Sequence, residues 1–416
     1  MNTRQLTEAI LDGGIRSTNF FNGRLLSAED LSSEQQANRE VDKLIGRSIG
    51  DGVSYGFEVS RAAGAGTNAT VTIQAGLAIN RSGQALRLSN AIDLSLVRQQ
   101  DSGSTAGAAG FSQCTPFQSG VYVSGSGVYL LVVSPARGSQ GRATVSGLQS
   151  TTSDCNTKYL VDGVQFRLIQ LELSADELTD ANHLRNLVAY RCFGADEADQ
   201  VLMSPFGAEV QSYGLLDTLR PNRLTDCDVP LAVLYWTSTG GIGFVDMWSV
   251  RRRLSRTSLD GKWSTILSER RTSEAEATFL QFADQLEGLR TSGAQSVVAT
   301  AYFRYLPALG VLPLATGASP FGFSFQTFFQ NQTYRSPVFV SGPRAHSMIR
   351  SAINYPPIDL LSGEMVWLYE VRENRDPRAF APAAAPVEYA IFASGHIPFQ
   401  GEARFDVARW NYSNYS

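Results

Sequence analysis

Two short patterns in this chain carry the residue types of hydrolytic loops. Gly52-Val53-Ser54-Tyr55-Gly56 fits G-x-S-x-G, in which a sharp strand-to-helix turn lifts a serine hydroxyl toward a base. Here the helical pattern precedes the serine and the strand pattern follows it. The order is reversed, so Ser54 reads as a glycine-shaped strand entry. Asp101-Ser102-Gly103-Ser104 has the D-[ST]-G-[ST] spacing that can hold a catalytic carboxylate, but polar Arg98-Gln99-Gln100 stands where an apolar strand should position it, and no second copy appears. It reads as a loop. The three histidines, His183, His346 and His396, are isolated from one another and from any cysteine at ligand spacing, which argues against zinc. No Walker A loop and no strand-linked G-x-G-x-x-G supports nucleotide binding. No catalytic, cofactor-binding or metal-ligating residue is assigned, and no cofactor is expected.

Composition narrows the class further. The chain has 416 residues, long enough for two or three domains. Its 35 basic and 39 acidic residues give a net charge of -4 and are spread along the length, so no field is built for nucleic acid or an anionic membrane. The 37 glycines favour many strands and turns. Cys114, Cys155, Cys192 and Cys227 are widely spaced, with no C-x-x-C pair, and read as reduced and buried. The polar start lacks the regions of a signal peptide, and the uncharged stretch 305–324 is broken by Pro307, Pro313 and Pro320, so no membrane span is expected.

The elements that would carry any function are legible from pattern. Ser27 followed by Asp30 is a capping-box spacing, and helix formers run from Ala28 to Ile49 before Gly50. The candidate inner face of that helix is Leu31, Gln35, Asn38, Val41 and Ile45. With two amides in its middle it suits an interface or polar groove better than a monomer core. Residues 70–80 alternate as one half-buried strand, with Val71, Ile73, Ala75, Leu77 and Ile79 on one side, and the turn at Asn80-Arg81-Ser82-Gly83 predicts a hairpin over 70–88. Residues 99–118 read as a long surface loop. Val121-Tyr122-Val123 and the run Val128 to Val133 suggest another hairpin, its second strand buried on both faces.

The two apolar phases within 164–173 predict a β-bulge near Leu168. A second capping box at Ser174 and Glu177 heads a helical period, and Val229 to Asp246 reads as a third hairpin. Arg251-Arg252-Arg253 reads as a solvated face or as partner for acids on a neighbouring subunit. A helix over about 273–289 leads to a proline- and aromatic-rich region with strands at 365–371 and 388–392. The fold class expected is α+β: an N-terminal helix followed by antiparallel β hairpins, with a second, mostly β C-terminal domain. The divisions are a docking segment and helix (1–50), a mixed α+β domain (51–255), a helical connector (256–294) and a β-rich domain (295–416).

Phe20-Phe21-Asn22-Gly23-Arg24-Leu25-Leu26-Ser27-Ala28-Glu29-Asp30-Leu31, with Glu34-Gln35, resembles a recurring opening of proteins from gene clusters for phage-tail-like contractile injection systems. The likeness continues through Gly52-Val53, Gly56-Phe57-Glu58-Val59 and Ala75 to Gly83. It returns at Tyr305 to Pro313 and Arg404 to Tyr412, while the insert at 99–118 departs from it. The resemblance implies a non-enzymatic structural protein, at the baseplate or in a shell around the spike. Its implied partners are sister subunits in a symmetric ring or shell, together with baseplate, spike, sheath or tube proteins. It also implies cytoplasmic assembly into a particle that is membrane-docked or released. The interface residues expected are Phe20, Phe21, Arg24, Leu25, Leu31 and Gln35, and also Trp410, Tyr412 and Tyr415. Those last three belong to an aromatic ending that either packs on its own domain or plugs a partner. The competing reading is a carbohydrate-binding or surface-adhesion protein that stacks exposed aromatics on sugars.

Overall fold

A computed structural model describes residues 11, 14–62, 70–96, 126–144, 155–174, 177–178, 180–203, 214–256, 269–293, 296–315, 322–340, 342–371 and 389–397. The fold is α+β. Helix α1 (Ala28–Ile49) is followed by six short strands, β1 (Gly52–Gly56), β2 (Val59–Arg61), β3 (Thr70–Ile73), β4 (Gly76–Ile79), β5 (Ala85–Leu88) and β6 (Ile92–Ser95). They form two small antiparallel sheets, ordered β1-β4-β5 and β2-β3-β6. The expected single strand over 70–80 is therefore two strands in two sheets. Val71 and Ile73 face inward, but after Gln74-Ala75 the inward phase passes to Gly76 and Ala78. The cause is a close backbone crossing. The Phe57 N–H donates to Ala75 O at 3.2 Å, and a Cβ on Gly76 would lie 2.4 Å from the Phe57 nitrogen. The predicted hairpin survives in its second half, as β4 paired with β5.

The central sheet is larger. Strands β7 (Gly127–Thr144), β8 (Cys155–Gln170), β9 (Val229–Thr237) and β10 (Gly241–Asp246) form an antiparallel sheet in the order β10-β9-β7-β8. Val128 through Val133 are all fully buried because both faces of β7 are covered. Tyr129, Leu131 and Val133 pack toward the small sheets. Val128, Leu130 and Val132 pack against Leu184, Val188 and Cys192 of helix α2 (Leu184–Phe193). The same two-sided cover explains β8. Its register with β7 runs without a break through Leu168, so the expected bulge is absent. Leu168 and Ile169 simply enter opposite cores. The register shift falls instead in the β7–β9 pair, at Leu131/Val132. Residues 121–123, assigned to a hairpin strand from sequence, lie outside the described residues. The capping box at Ser174 forms, with the Glu177 N–H donating to its hydroxyl at 3.3 Å, but the long helix begins only at Leu184. The β9–β10 hairpin is as expected.

Helix α3 (Ala195–Met203) and helix α4 (Glu269–Thr291) lead to the last region. This holds β11 (Tyr305–Leu306), β12 (Leu309–Pro313), β13 (Tyr334–Val340), helix α5 (Gly342–Ser351), β14 (Ile358–Asp359), β15 (Val366–Val371) and β16 (Tyr389–Ser394). The main sheet has the order β12-β16-β15-β13, antiparallel except for the parallel β13–β15 pair. Its core is aromatic. Phe282 of α4 meets Phe392 edge to face at 5.2 Å between centroids, and Phe329 also meets Phe392 edge to face at 5.5 Å. A polar seam ties α2 to this region. Asn186 donates to Tyr305 O and accepts from the Arg304 and Tyr305 N–H groups, all at 2.9 Å, and Tyr190 stacks on Tyr305.

Asp228 joins three strands of the central sheet. It accepts from the Arg167 guanidinium of β8, the Ser134 hydroxyl of β7, and the Thr225 N–H and hydroxyl, the last two at 2.7 Å. Burial opposes ionisation here, but the bonds from Arg167, Ser134 and Thr225 outweigh it and hold the carboxyl below its usual range. A depressed folded pKa contributes stability that is complete above the unfolded value, about pH 4, and is lost as pH falls through the folded value. Asp228→Asn is therefore expected to lower the urea midpoint at pH 7, with its deficit relative to the wild type shrinking as the pH falls below about 4. Paired urea titrations across pH 2.5 to 7 measure this, and a deficit independent of pH would contradict it.

Candidate functional site

Of the residues singled out from sequence, the N-terminal group is brought together into one structured feature. The Asp30 N–H donates to the Ser27 hydroxyl at 3.1 Å and the Ser27 N–H to the Asp30 carboxylate at 3.0 Å, which completes the capping box. Arg24 turns back across this cap, donating to the Asp30 carboxylate and, at 2.7 Å, to Asn19 O. Thr18 adds a second clasp, its N–H donating to Glu34 and its hydroxyl to Asp30 O, both at 3.0 Å. The backbone and hydroxyl of Ser27, then Arg24, hold the Asp30 carboxyl below its usual range. The segment from Thr18 to Ser27 is thereby clipped to the first two turns of α1.

The polar groups of this clip point inward to one another, and its apolar side chains point out. Leu25 is 92% exposed and Phe21 62%, with Phe20, Leu26 and Leu31 more than half exposed. The exposed apolar stripe continues along α1 through Val41, Leu44, Ile45 and Ile49, and Gln35 and Asn38 are exposed between its two parts. Exposed apolar patches edged by polar residues mark interaction surfaces. The helix meets the body through other positions, its buried residues being Ala37 and Gly46. Gly46 lies against the β4–β5 turn so closely that a Cβ on it would stand 2.1 Å from Gly83 O. Arg47 donates to Ser82 O at 3.1 Å, Arg39 pairs with Asp162 at 3.7 Å, and Arg256 donates to Ser48 O at 3.1 Å.

The other candidates resolve differently. Ser54 is exposed in mid-strand on β1, after α1, so the strand-turn-helix geometry of a nucleophile elbow does not form. Asp101 lies outside the described residues, as do Trp410, Tyr412 and Tyr415. Among the described residues no group of histidine, cysteine or carboxylate side chains could hold a metal ion. His183 has its Nδ1 2.8 Å from Asp180, and its Nε2–H donates to Thr300 O at 2.9 Å.

The arginine run is corrected outright. Arg251 donates to Gly56 O and Phe57 O at 2.6 and 3.0 Å, and Arg252 donates to Trp248 O and Ser249 O and lies over the Phe193 ring. Only Arg253 is exposed, and it pairs with Glu276 of the same chain at 2.9 Å. The run is a fastener for β1 because backbone carbonyls at the strand ends need donors. The cysteines divide as well. Cys192 is buried and free, and burial pushes its thiol up to about 12, so it stays protonated at neutral pH. Cys227 is disulfide-bonded, contrary to the expectation of four reduced thiols.

No protein-family model matches the chain. No curated protein sequence matches it either. Among solved structures, it is similar to a chain of the type VI secretion system TssK-TssF-TssG baseplate subcomplex, at 10% identity over 67% of this chain and 71% of that one, with a TM-score of 0.27. It is also similar to the crystal structure of TssK, at 8% identity over 47% of this chain and 50% of that one, with a TM-score of 0.21. No helix among the described residues is long and apolar enough to cross a membrane.

Proposed function

We propose that this protein is a non-enzymatic structural component of a contractile injection system, at its baseplate or in a shell around its spike. One observation carries the reading: the segment that resembles the opening of such proteins is held rigid by Arg24, Ser27, Asp30 and Thr18 while presenting Phe20, Phe21, Leu25 and Leu31 to solvent. Rigidity lowers the ordering cost of binding, and exposed apolar anchors supply the gain. Sister subunits and the baseplate, spike, sheath or tube proteins are the proposed partners, met in the cytoplasm where such a particle would be built. Affinity-tagged protein isolated from its native cells should carry sheath, tube or spike proteins with it, and a Phe20→Asp/Phe21→Asp variant should carry at least about tenfold less. Isolation of the wild type with none of these components would remove the proposal.

A further inference from the structure

We infer that the aromatic segment ahead of α1 in one copy seats in an arginine-rimmed groove of the next copy, joining subunits head to tail. The groove, of about 320 Å³, lies between α3, α4 and α5. Its apolar surface includes Phe279, Leu280, Ile349 and Ile353; at its edge Arg350 is exposed and Arg253 pairs with Glu276, while Arg271 is buried and donates to Tyr355 O at 3.1 Å. A cavity of this size and character takes a pair of large apolar side chains with acidic groups at its edge.

The clipped N-terminal segment has that chemistry. Phe20, Phe21, Leu25 and Leu26 are all exposed within one short segment, and exposed Glu29 follows them on the first turn of α1, with Asp30 bonded by Arg24 and Ser27 and Glu34 by Thr18. An apolar knob with an acidic collar meets an apolar groove with a basic rim, and the charges favour this pairing over knob against knob.

The segment does not fill the groove of its own chain, where these side chains remain exposed. The other end of α1 is fastened close to the groove: the Asp51 N–H donates to Ser255 O at 3.0 Å and Arg256 donates to Ser48 O, two to three residues from Arg253. Twenty-two helical residues rise about 33 Å, so α1 carries its knob a helix length away from that fastening. Such a contact is heterologous, and its repetition closes a ring or extends a filament. The inference deepens the assembly reading and rests on it for its setting.

The test uses purified full-length protein in sedimentation experiments. The wild type should self-associate. Phe21→Asp on the knob and Ile349→Asp in the groove should each weaken association at least about tenfold, with far-UV circular dichroism and thermal midpoint unchanged. Mixed, the two variants should give a one-to-one dimer and nothing larger, since one intact knob then meets one intact groove. As a second handle on exposed positions, Arg350→Glu should weaken association and Glu29→Arg in the same chain should restore part of it. A monomeric wild type, variants that associate like the wild type, or a mixture without dimer would each overturn the inference. A monomeric wild type that still captures sheath or tube proteins removes only this junction. Self-association without any such capture removes the assembly reading and leaves the junction standing.

Discussion

Replacing Asp246 by alanine is expected to lower the unfolding free energy by about 3–5 kcal/mol, because it leaves the largely desolvated Arg185 guanidinium without its buried counter-charge. Asp246 ends β10 and is fully buried. Its carboxylate accepts from Arg185 Nε of α2 at 2.7 Å, from Gln281 Nε2 of α4 at 2.9 Å, and from the Ser249 N–H at 2.9 Å. Burial alone would depress the basicity of Arg185, but Asp246 and Asp284 together outweigh it and raise it. The two acids differ in setting, since the Asp284 side chain is about half exposed. Asp284→Ala should therefore cost under about 1 kcal/mol, the ordinary value for a solvated pair. Urea unfolding at pH 7 compares the two, and equal losses would mean that burial of the pair is not what matters. Because Asp246 also holds Gln281 of α4 against the central sheet, both parts should lose stability together in the Asp246 variant.

Gly83→Ala should release α1 from the body. Gly83 has φ +83°, where an alanine is strained, and its Cβ would lie 2.0 Å from Lys43 O of the helix backbone. Backbone cannot step aside as a side chain would. Overpacking of about 1–3 kcal/mol and about 1 kcal/mol for the left-handed conformation act together on one contact. The effect should be local. Amides of α1 should exchange at least tenfold faster and protease should cut within 28–49, while the sheet core keeps its protection. Gly46→Ala attacks the same contact from the other side, so the double variant should be little worse than either single one. If the α1 amides keep wild-type protection in both variants, the glycine crossing is not what holds the helix. A released α1 should also abolish the head-to-tail junction, since the knob would no longer be held at a set distance from the groove.

Features resting on short-range physics were written plainly in the chain. The capping boxes at Ser27 and Ser174 appeared where the hydroxyl-to-carboxylate spacing put them, because a cap involves residues three positions apart. The run Val128 to Val133 declared its burial on both faces, and the β9–β10 hairpin its turn. The aromatic pair ahead of α1 and the acids that follow it stand in the sequence, but the clasp of Thr18 on Glu34 that ties the segment to the helix does not. What the chain could not declare was which of several equivalent local patterns tertiary packing would select. Alternation over 70–80 suits one strand or two equally well, and a backbone crossing at Phe57 and Ala75 decided for two. Arg251 and Arg252 carry charge that suggests solvent, and only the strand carbonyls and the Phe193 ring that fold over them turn the run inward. Asp246, Arg185 and Gln281 meet across 61 and 35 residues of chain, and the groove gathers Phe193, Phe279 and Ile349 from three separate helical regions. Local hydrogen bonds and side-chain period are properties of neighbours along the polypeptide, whereas these meetings arise only when distant surfaces are buried against each other.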